Sequence, residues 1–468
     1  MPRHSLEIGC TVSQILLAIC LCFTAVVGAA VVQAQNGDAE LLARLSDEQR
    51  RNYAEWRQAR SAFDGVHERY WADVNARRAE RRRKRGTGEA FTIADFIIPH
   101  PPKYVGPALR PDIAKLMAEL KPPVPETPIP IVADVLAQAK QNYNFVPRLT
   151  SEREFKRSYA AEALAVGLTK DQVVRVYALE TGGRGTFDMQ AGFDPETKRG
   201  SAISTALGYA QLLAANSIDE LIRHGEGFVS RLGLMATAEG VTRERAAELA
   251  AKINSIRAML KVAKSVPREW SEHVKLSVTP AGIGIHALNI DADIGPWLQV
   301  LKLKGLKDLA DKSGRPNMTG AEIELMNLAG PRTGLEMMEP VAHGTSTANF
   351  FSQAGYYRNG IVREKSAAEL LVALDKRMND NVLKAGSVEF AAVFDEIISG
   401  GFSPVRAVAE PMPRAGIAPP MPIRAPAPPP TARPSMPVVE AAPSPLPRME
   451  WAPRQLTEQR LWSPLSND

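Results

Sequence analysis

Glu180 stands at the end of a helical pattern, directly before Thr181-Gly182-Gly183, and the segment Gly208-Tyr209-Ala210-Gln211 follows after a polar, glycine-containing stretch. A carboxyl that keeps its proton near neutral pH can act as a general acid, and a second polar loop beside it can hold a substrate. The local pattern predicts such a carboxyl. Thr169 and Gln172 have the spacing of a capping box, so a helix should begin there. Val173, Val176, Tyr177 and Glu180 fall at i, i+3, i+4 and i+7, which is one helical face. Glu180 therefore belongs to the apolar stripe, and Gly182 or Gly183 can end the helix in a left-handed conformation. Burial and the negative end of the helix dipole both disfavour the ionised form, so its pKa should rise. The plainer alternative is a boundary glutamate whose head group reaches water.

Other chemistries find no support. His67-Glu68 begins like a zincin helix, but Trp71 occupies the place of the second histidine. The seven histidines are scattered, and none sits at ligand spacing from a cysteine or carboxylate. There is no P-loop, and the Gly-x-Gly of Gly183 to Gly185 follows a helix instead of a strand, so no nucleotide fingerprint is present. No metal and no cofactor are expected.

The elements that must position Glu180 occupy the middle of a 468-residue chain. Residues 1–34 read as a signal peptide: Arg3 and His4 precede a nearly continuous apolar run from Ile15 to Val32, and Ala34 suits cleavage. The run approaches spanning length, so an uncleaved anchor is the alternative. The cleaved form implies export to the periplasm or outside the cell. All three cysteines, Cys10, Cys20 and Cys22, lie inside this segment, so the mature chain would hold no disulfide and no thiolate site. From 403 to 468 the chain turns to proline, alanine and arginine, a composition that cannot build a packed core and predicts a disordered tail.

Between these ends, residues 35–98 predict a long amphipathic helix. Leu42, Leu45, Trp56, Ala59, Phe63, Val66 and Tyr70 form its apolar stripe, and a basic run from Arg77 to Arg85 ends it. With a net charge of only +5 and an exported chain, that run points to an anionic envelope polymer or lipid, or to a solvated helix end, and not to nucleic acid. Residues 99–148 carry closely spaced prolines and read as an extended linker with short helices. Residues 149–402 read as mostly helical, with irregular glycine-rich loops between the helices. Capping boxes at Ser151/Glu154, Thr169/Gln172, Ser217/Glu220, Thr319/Glu322 and Ser366/Glu369 open successive helices, and a strand is conceivable only near Phe187 to Phe193.

The stretch from about Glu152 to Met378 resembles a lysozyme-like lytic transglycosylase of the soluble, goose-type-lysozyme-like kind. Ala178-Leu179-Glu180-Thr181-Gly182-Gly183 is similar to the family's Glu-Ser segment, and Gly208-Tyr209-Ala210-Gln211 to its Gly-Leu-Met-Gln segment. Asn327-Leu328-Ala329-Gly330-Pro331 is similar to its Asn-Ala-Gly-Pro loop. Residues Thr347 to Phe351 and Asn359 to Ile361 resemble the tail of divergent members. Thr181 stands where serine is usual, Tyr209 and Ala210 replace leucine and methionine, and Met326 stands where many members carry a tyrosine that orients the glutamate.

The resemblance implies a mostly α, lysozyme-like domain with irregular loops, acting on peptidoglycan glycan strands. It implies cleavage of the bond between N-acetylmuramic acid and N-acetylglucosamine by Glu180 alone, leaving a 1,6-anhydro ring. Thr181, Tyr209, Gln211 and Asn327 would bind the sugar. Asp188 or Asp194 could instead serve a water, which would make the chain a hydrolytic muramidase. A glycan-binding scaffold without turnover, or an unrelated helical envelope adaptor, would account for the same residues.

Overall fold

The computed structural model of the chain describes residues 38–120 and 128–400. The expected signal peptide and proline-rich tail lie outside them. The described protein is mostly α-helical. Near Phe187 to Phe193 it forms isolated bridges, Gln190 with Leu207 and Phe193 with Gly200, and no strand.

Two compact units divide the described chain. The first combines the residues up to Pro128 with Pro340–Gln353 and Glu364–Ser366. Its spine is helix α1 (Asp47–Thr87), opened by a capping box of Ser46 and Gln49 and closed by Gly88 in the left-handed region. Leu41, Leu45, Tyr53 and Trp56 bury against Ile113 of α2 (Pro111–Leu120). The helix is more selective than its expected stripe. Ser46 caps a break before it, which places Leu42 and Leu45 outside α1, and Val66 is exposed while Trp71 and Val74 are buried. His67 and Trp71 lie four residues apart and hydrogen-bond to each other, so the buried seam runs one step away from Val66.

The basic run is turned inward in part, at Arg78, Arg81 and Lys84. Arg81 is buried and donates to the carbonyls of Asp95 and Asn349, while Arg78 donates to those of Ala348, Asn349 and Phe351. Lys84 pairs with Asp95 at 2.8 Å, and Arg83 with Glu80 and Glu89. Arg77 and Arg82 are exposed. Residues 347–351, grouped by resemblance with the tail of the helical domain, thus belong to the first unit and satisfy its arginines.

The second unit holds Ile129–Glu339, Ala354–Arg363 and the described residues from Ala367 onward. It begins twenty residues before the expected boundary at 149, because α3 (Val132–Tyr143) is part of its core and not of a linker. Val135, Ala139 and Tyr143 recur at four-residue steps and are buried. They join a core with α6 (Ala214–Ala236), α7 (Arg243–Ala263) and α9 (Pro280–Ile285). The site-bearing helices are α4 (Glu152–Ala165), α5 (Lys170–Thr181), α10 (Gly295–Lys312), α11 (Gly320–Ala329), α12 (Pro331–Met337), α13 (Ala367–Asn381) and α14 (Ala385–Ser399).

Capping boxes form at Ser151, Thr169 and Thr319 as their spacing predicts. Ser217 does not cap. It lies inside α6, which starts from Leu213, and its hydroxyl meets the ring of buried His286 at 2.8 Å. A hydroxyl with a better partner across the core has no call on its own backbone.

Candidate functional site

Helix α5 is buried on nearly every side. Val173, Val176, Tyr177 and Glu180 share a face as the spacing requires, but Val174, Ala178, Leu179 and Thr181 are buried too. Neighbours on both sides explain this: α4, α11, α13 and α14 all pack against it. Gly182, with φ of 63°, ends the helix. Gly183 follows at φ 72°, and a Cβ there would lie 2.3 Å from the carbonyl oxygen of Asn381. The end of α5 is thereby pressed against the junction of α13 and α14, which Asn381 ties further by donating to the Ala178 carbonyl at 3.0 Å.

Glu180 is 6% exposed. Its Oε1 accepts a hydrogen bond from Nδ2 of Asn327 at 2.9 Å, while its Oε2 is buried and receives none from a donor among the described residues. The third segment singled out in the sequence therefore meets the first. Asn327 comes from the last turn of α11, and Gly330 at φ 90° turns the chain from α11 into α12. Met326, in the place of the expected tyrosine, is fully buried, and Gly334 of α12 packs against it so closely that a Cβ would fall 2.5 Å from its Cα. Asn327 does the orienting instead.

A residue that went unremarked in the sequence completes the cluster. Glu324, 1% exposed, lies one turn before Asn327 on α11, and the Asn327 Nδ2 sits 3.4 Å from its Oε2. Burial raises the Glu180 carboxyl well above the ordinary 4.5, and the charge of Glu324 together with a hydrogen bond between the two carboxyls raises it further, against the Asn327 amide. Burial also raises Glu324, while hydrogen bonds from Glu180 and Asn327 and the charge of Lys302 on α10 oppose the rise. The sequence did carry a signal. Ala321, Glu324, Leu325 and Leu328 have the same i, i+3, i+4, i+7 spacing that marks Glu180.

The other predicted residues stay nearby but turn their polar groups into the fold. The Thr181 hydroxyl donates to the Tyr177 carbonyl one turn back at 2.7 Å. Tyr209 is buried, packs edge-on against the Tyr177 ring with centroids 5.0 Å apart, and donates its hydroxyl to Glu152. Gln211, in the left-handed region at φ 42°, uses its Nε2 on the carbonyls of Gly208 and Met189. The Gly-Tyr-Ala-Gln segment thus braces α5 one turn from Glu180. Asp188 pairs with Lys198 at 3.1 Å and accepts from Thr186; burial pushes its carboxyl up, but these hydrogen bonds more than offset that and hold it below the ordinary value. Asp194 accepts from the backbone amides of Glu196 and Thr197, which lower it.

One other cluster has the residue types of a nucleophile. Ser217 Oγ lies 2.8 Å from His286 Nδ1 and accepts from Asn289 at 2.6 Å, but His286 Nε2 meets the Thr205 carbonyl at 2.7 Å. Burial lowers this histidine to about 4, so it is neutral and closed on every side. Among the described residues no group of three or more acidic, histidine or cysteine side chains is placed to hold a metal. No helix there is long and apolar enough to cross a membrane. No family model, no curated protein and no solved structure matches the chain.

Proposed function

We propose that the chain is an exported lytic transglycosylase of lysozyme-like type, cleaving peptidoglycan glycan strands with Glu180 as its one acid and base. The observation that carries this reading is the state of Glu180: buried, held at one oxygen by Asn327, with a second oxygen that no donor among the described residues satisfies. A buried carboxyl oxygen without a donor is at ease only if it carries a proton, and a proton held there at neutral pH suits a general acid.

The steps balance on one residue. The proton of Glu180 passes to the glycosidic oxygen as the bond from the muramic acid C1 to that oxygen breaks. Glu180, now a carboxylate, takes the proton of the same sugar's C6 hydroxyl as its oxygen bonds to C1, which closes the anhydro ring and restores the acid. A hydrolase of the usual design needs its second carboxylate across the sugar ring, about 5–5.5 Å or 6.5–9.5 Å from the first. Glu324 meets the same Asn327 amide as Glu180, at 3.4 Å against 2.9 Å, so it lies beside the acid and not across a sugar ring from it. Asp188 is committed to Lys198. These placements favour the anhydro route.

Digestion of purified peptidoglycan by the full chain, followed by mass spectrometry, tests the proposal. Muropeptides ending in 1,6-anhydro-N-acetylmuramic acid, one water lighter than hydrolysed ones, are the expected products. Reducing-end products would make it a muramidase, and no release together with retention on the wall would make it a binding scaffold.

A further inference from the structure

Two carboxyls in contact inside a protein cannot both ionise cheaply, so they hold one proton between them and titrate as a pair. We infer that Glu324 is a positioning residue for Glu180: the two carboxyls share one proton where α5 meets α11, the Asn327 amide reaches both, and the proton rests on Glu180 while the charge rests on Glu324. This rests on the reading of Glu180 as the acid of glycan cleavage.

The geometry assigns the two roles. Asn327 donates to Glu180 Oε1 at 2.9 Å and lies farther, 3.4 and 3.5 Å, from the oxygens of Glu324. Glu180 Oε2 meets no donor among the described residues and so is the oxygen assigned the proton. The cation in reach is Lys302 of α10, which acts on Glu324; Glu220, Asp219 and Arg223 act on Lys302 in turn. On α13, Arg377 is half-buried and held below its ordinary value by burial, with neither carboxyl of the pair among the causes. On α13, Asp375 is taken by Arg175 of α5. On α14, Glu389 is taken by Lys156 of α4, which also lies 4.0 Å from Glu152. Glu336 of α12 is buried beside α11 and is a further acid.

The consequence is specific to a one-carboxylate reaction. A negative neighbour keeps the proton on Glu180 at neutral pH, which readies the first step. Once that proton has left for the glycosidic oxygen, the same neighbour makes the Glu180 carboxylate a stronger base for the C6 hydroxyl. Glu324 touches no reacting atom; it sets the proton affinity of the residue that does.

The test is the pH profile of wall cleavage by the full chain and by Glu324→Gln, which keeps the shape and removes the charge. Losing the neighbouring charge should move the basic limb of the variant down by about one pH unit or more, with the anhydro product unchanged. A limb that stays in place overturns the inference and leaves the proposed activity standing. If the parent releases no muropeptide, the activity falls, and carbon-13 NMR of the glutamate carboxyls decides the pairing. The Glu180 signal, assigned by its loss in Glu180→Gln, should titrate at lower pH in Glu324→Gln than in the parent, and equal titration refutes the shared proton. Should Glu324→Gln fail to fold, Lys302→Met takes its place, and the first proton should then leave the pair at higher pH than in the parent. No change there refutes the inference equally.

Discussion

Asn327 of α11 donates to the carboxyl of Glu180 at the end of α5 at 2.9 Å, across 147 residues of chain. The contact fixes one oxygen of the acid and leaves the other without a donor among the described residues. It also means that the candidate site depends on two helix ends, each stopped by a glycine with positive φ, at Gly182 and Gly330.

Replacing Glu180 with glutamine should leave the fold intact and lower wall cleavage by about 10²–10⁴-fold, the usual worth of general acid help. The amide fills the same space but has no acidic proton to give. Release of soluble muropeptides from purified peptidoglycan measures it, alongside the melting temperature. Activity equal to the parent would remove Glu180 from the mechanism.

The acid pair also predicts how stability varies with pH. Glu180 and Glu324 both bind protons more tightly folded than unfolded, because their folded-state values are raised. Their contribution is therefore complete below the unfolded value of about 4.3 and is lost as pH rises through the folded values, at up to roughly 1.4 kcal/mol per pH unit for each group. The double variant Glu180→Gln with Glu324→Gln should then gain on the parent between about pH 5 and 7. Groups of opposite sign such as Asp293, held below the usual range, are common to both proteins and cancel in the difference. Denaturant melts across that interval give the answer, and a constant difference would rule the pair out.

Gly183→Ala should destabilise the second unit by about 1–3 kcal/mol, since the backbone is left-handed and the new methyl meets a carbonyl and two side chains. Wall cleavage should fall more than stability alone explains, because the end of α5 must shift and Glu180 rides on it. A variant with the parent's melting temperature and activity would show that the junction with α13 and α14 yields freely.

Lys252→Met should cost about 3–5 kcal/mol at neutral pH, because a buried carboxylate loses its counter-ion. Lys252 Nζ lies 2.6 Å from Asp291 and 2.5 Å from Asp293, and Asp291 is fully buried. Asp293 keeps Arg148 and Arg245, so the loss falls on Asp291. Acid should therefore rescue the variant, which a melt near pH 4 compares with one near pH 7. Equal deficits at both would mean that the lysine matters by packing alone.

Much of the site's local frame was legible in the sequence, and its long-range half was only partly so. The helix bearing Glu180, its capping box and its glycine stop follow from spacing within fifteen residues, where backbone geometry alone decides which side chains share a face. Asn327 came by resemblance, and its contact depends on α11 meeting α5, which no local pattern contains. Glu324 followed the same periodic rule as Glu180 and passed unnoticed, because a glutamate two residues from the capping Glu322 reads as part of a wet helix start until the partner helix is known. Tyr209 and Gln211 were expected to face a sugar. Their polar groups instead satisfy Glu152 and the Gly208 and Met189 carbonyls, a choice made by the packing of three separate segments.

Arg81 is separated by 268 residues from the Asn349 carbonyl that receives it. On a ribosome, α1 emerges long before the carbonyls of residues 348–351 are made, so the guanidinium groups of Arg78 and Arg81 must stay partly hydrated until most of the chain has followed. Closing a loop of that length costs roughly 5 kcal/mol of chain entropy, whichever end arrives first. Assembly of the first unit is thus a late event, which waits until residues 340–366 have been made. A fragment released before residue 340 would lack all three carbonyls that receive Arg78, and would keep for Arg81 the carbonyl of Asp95 but not that of Asn349.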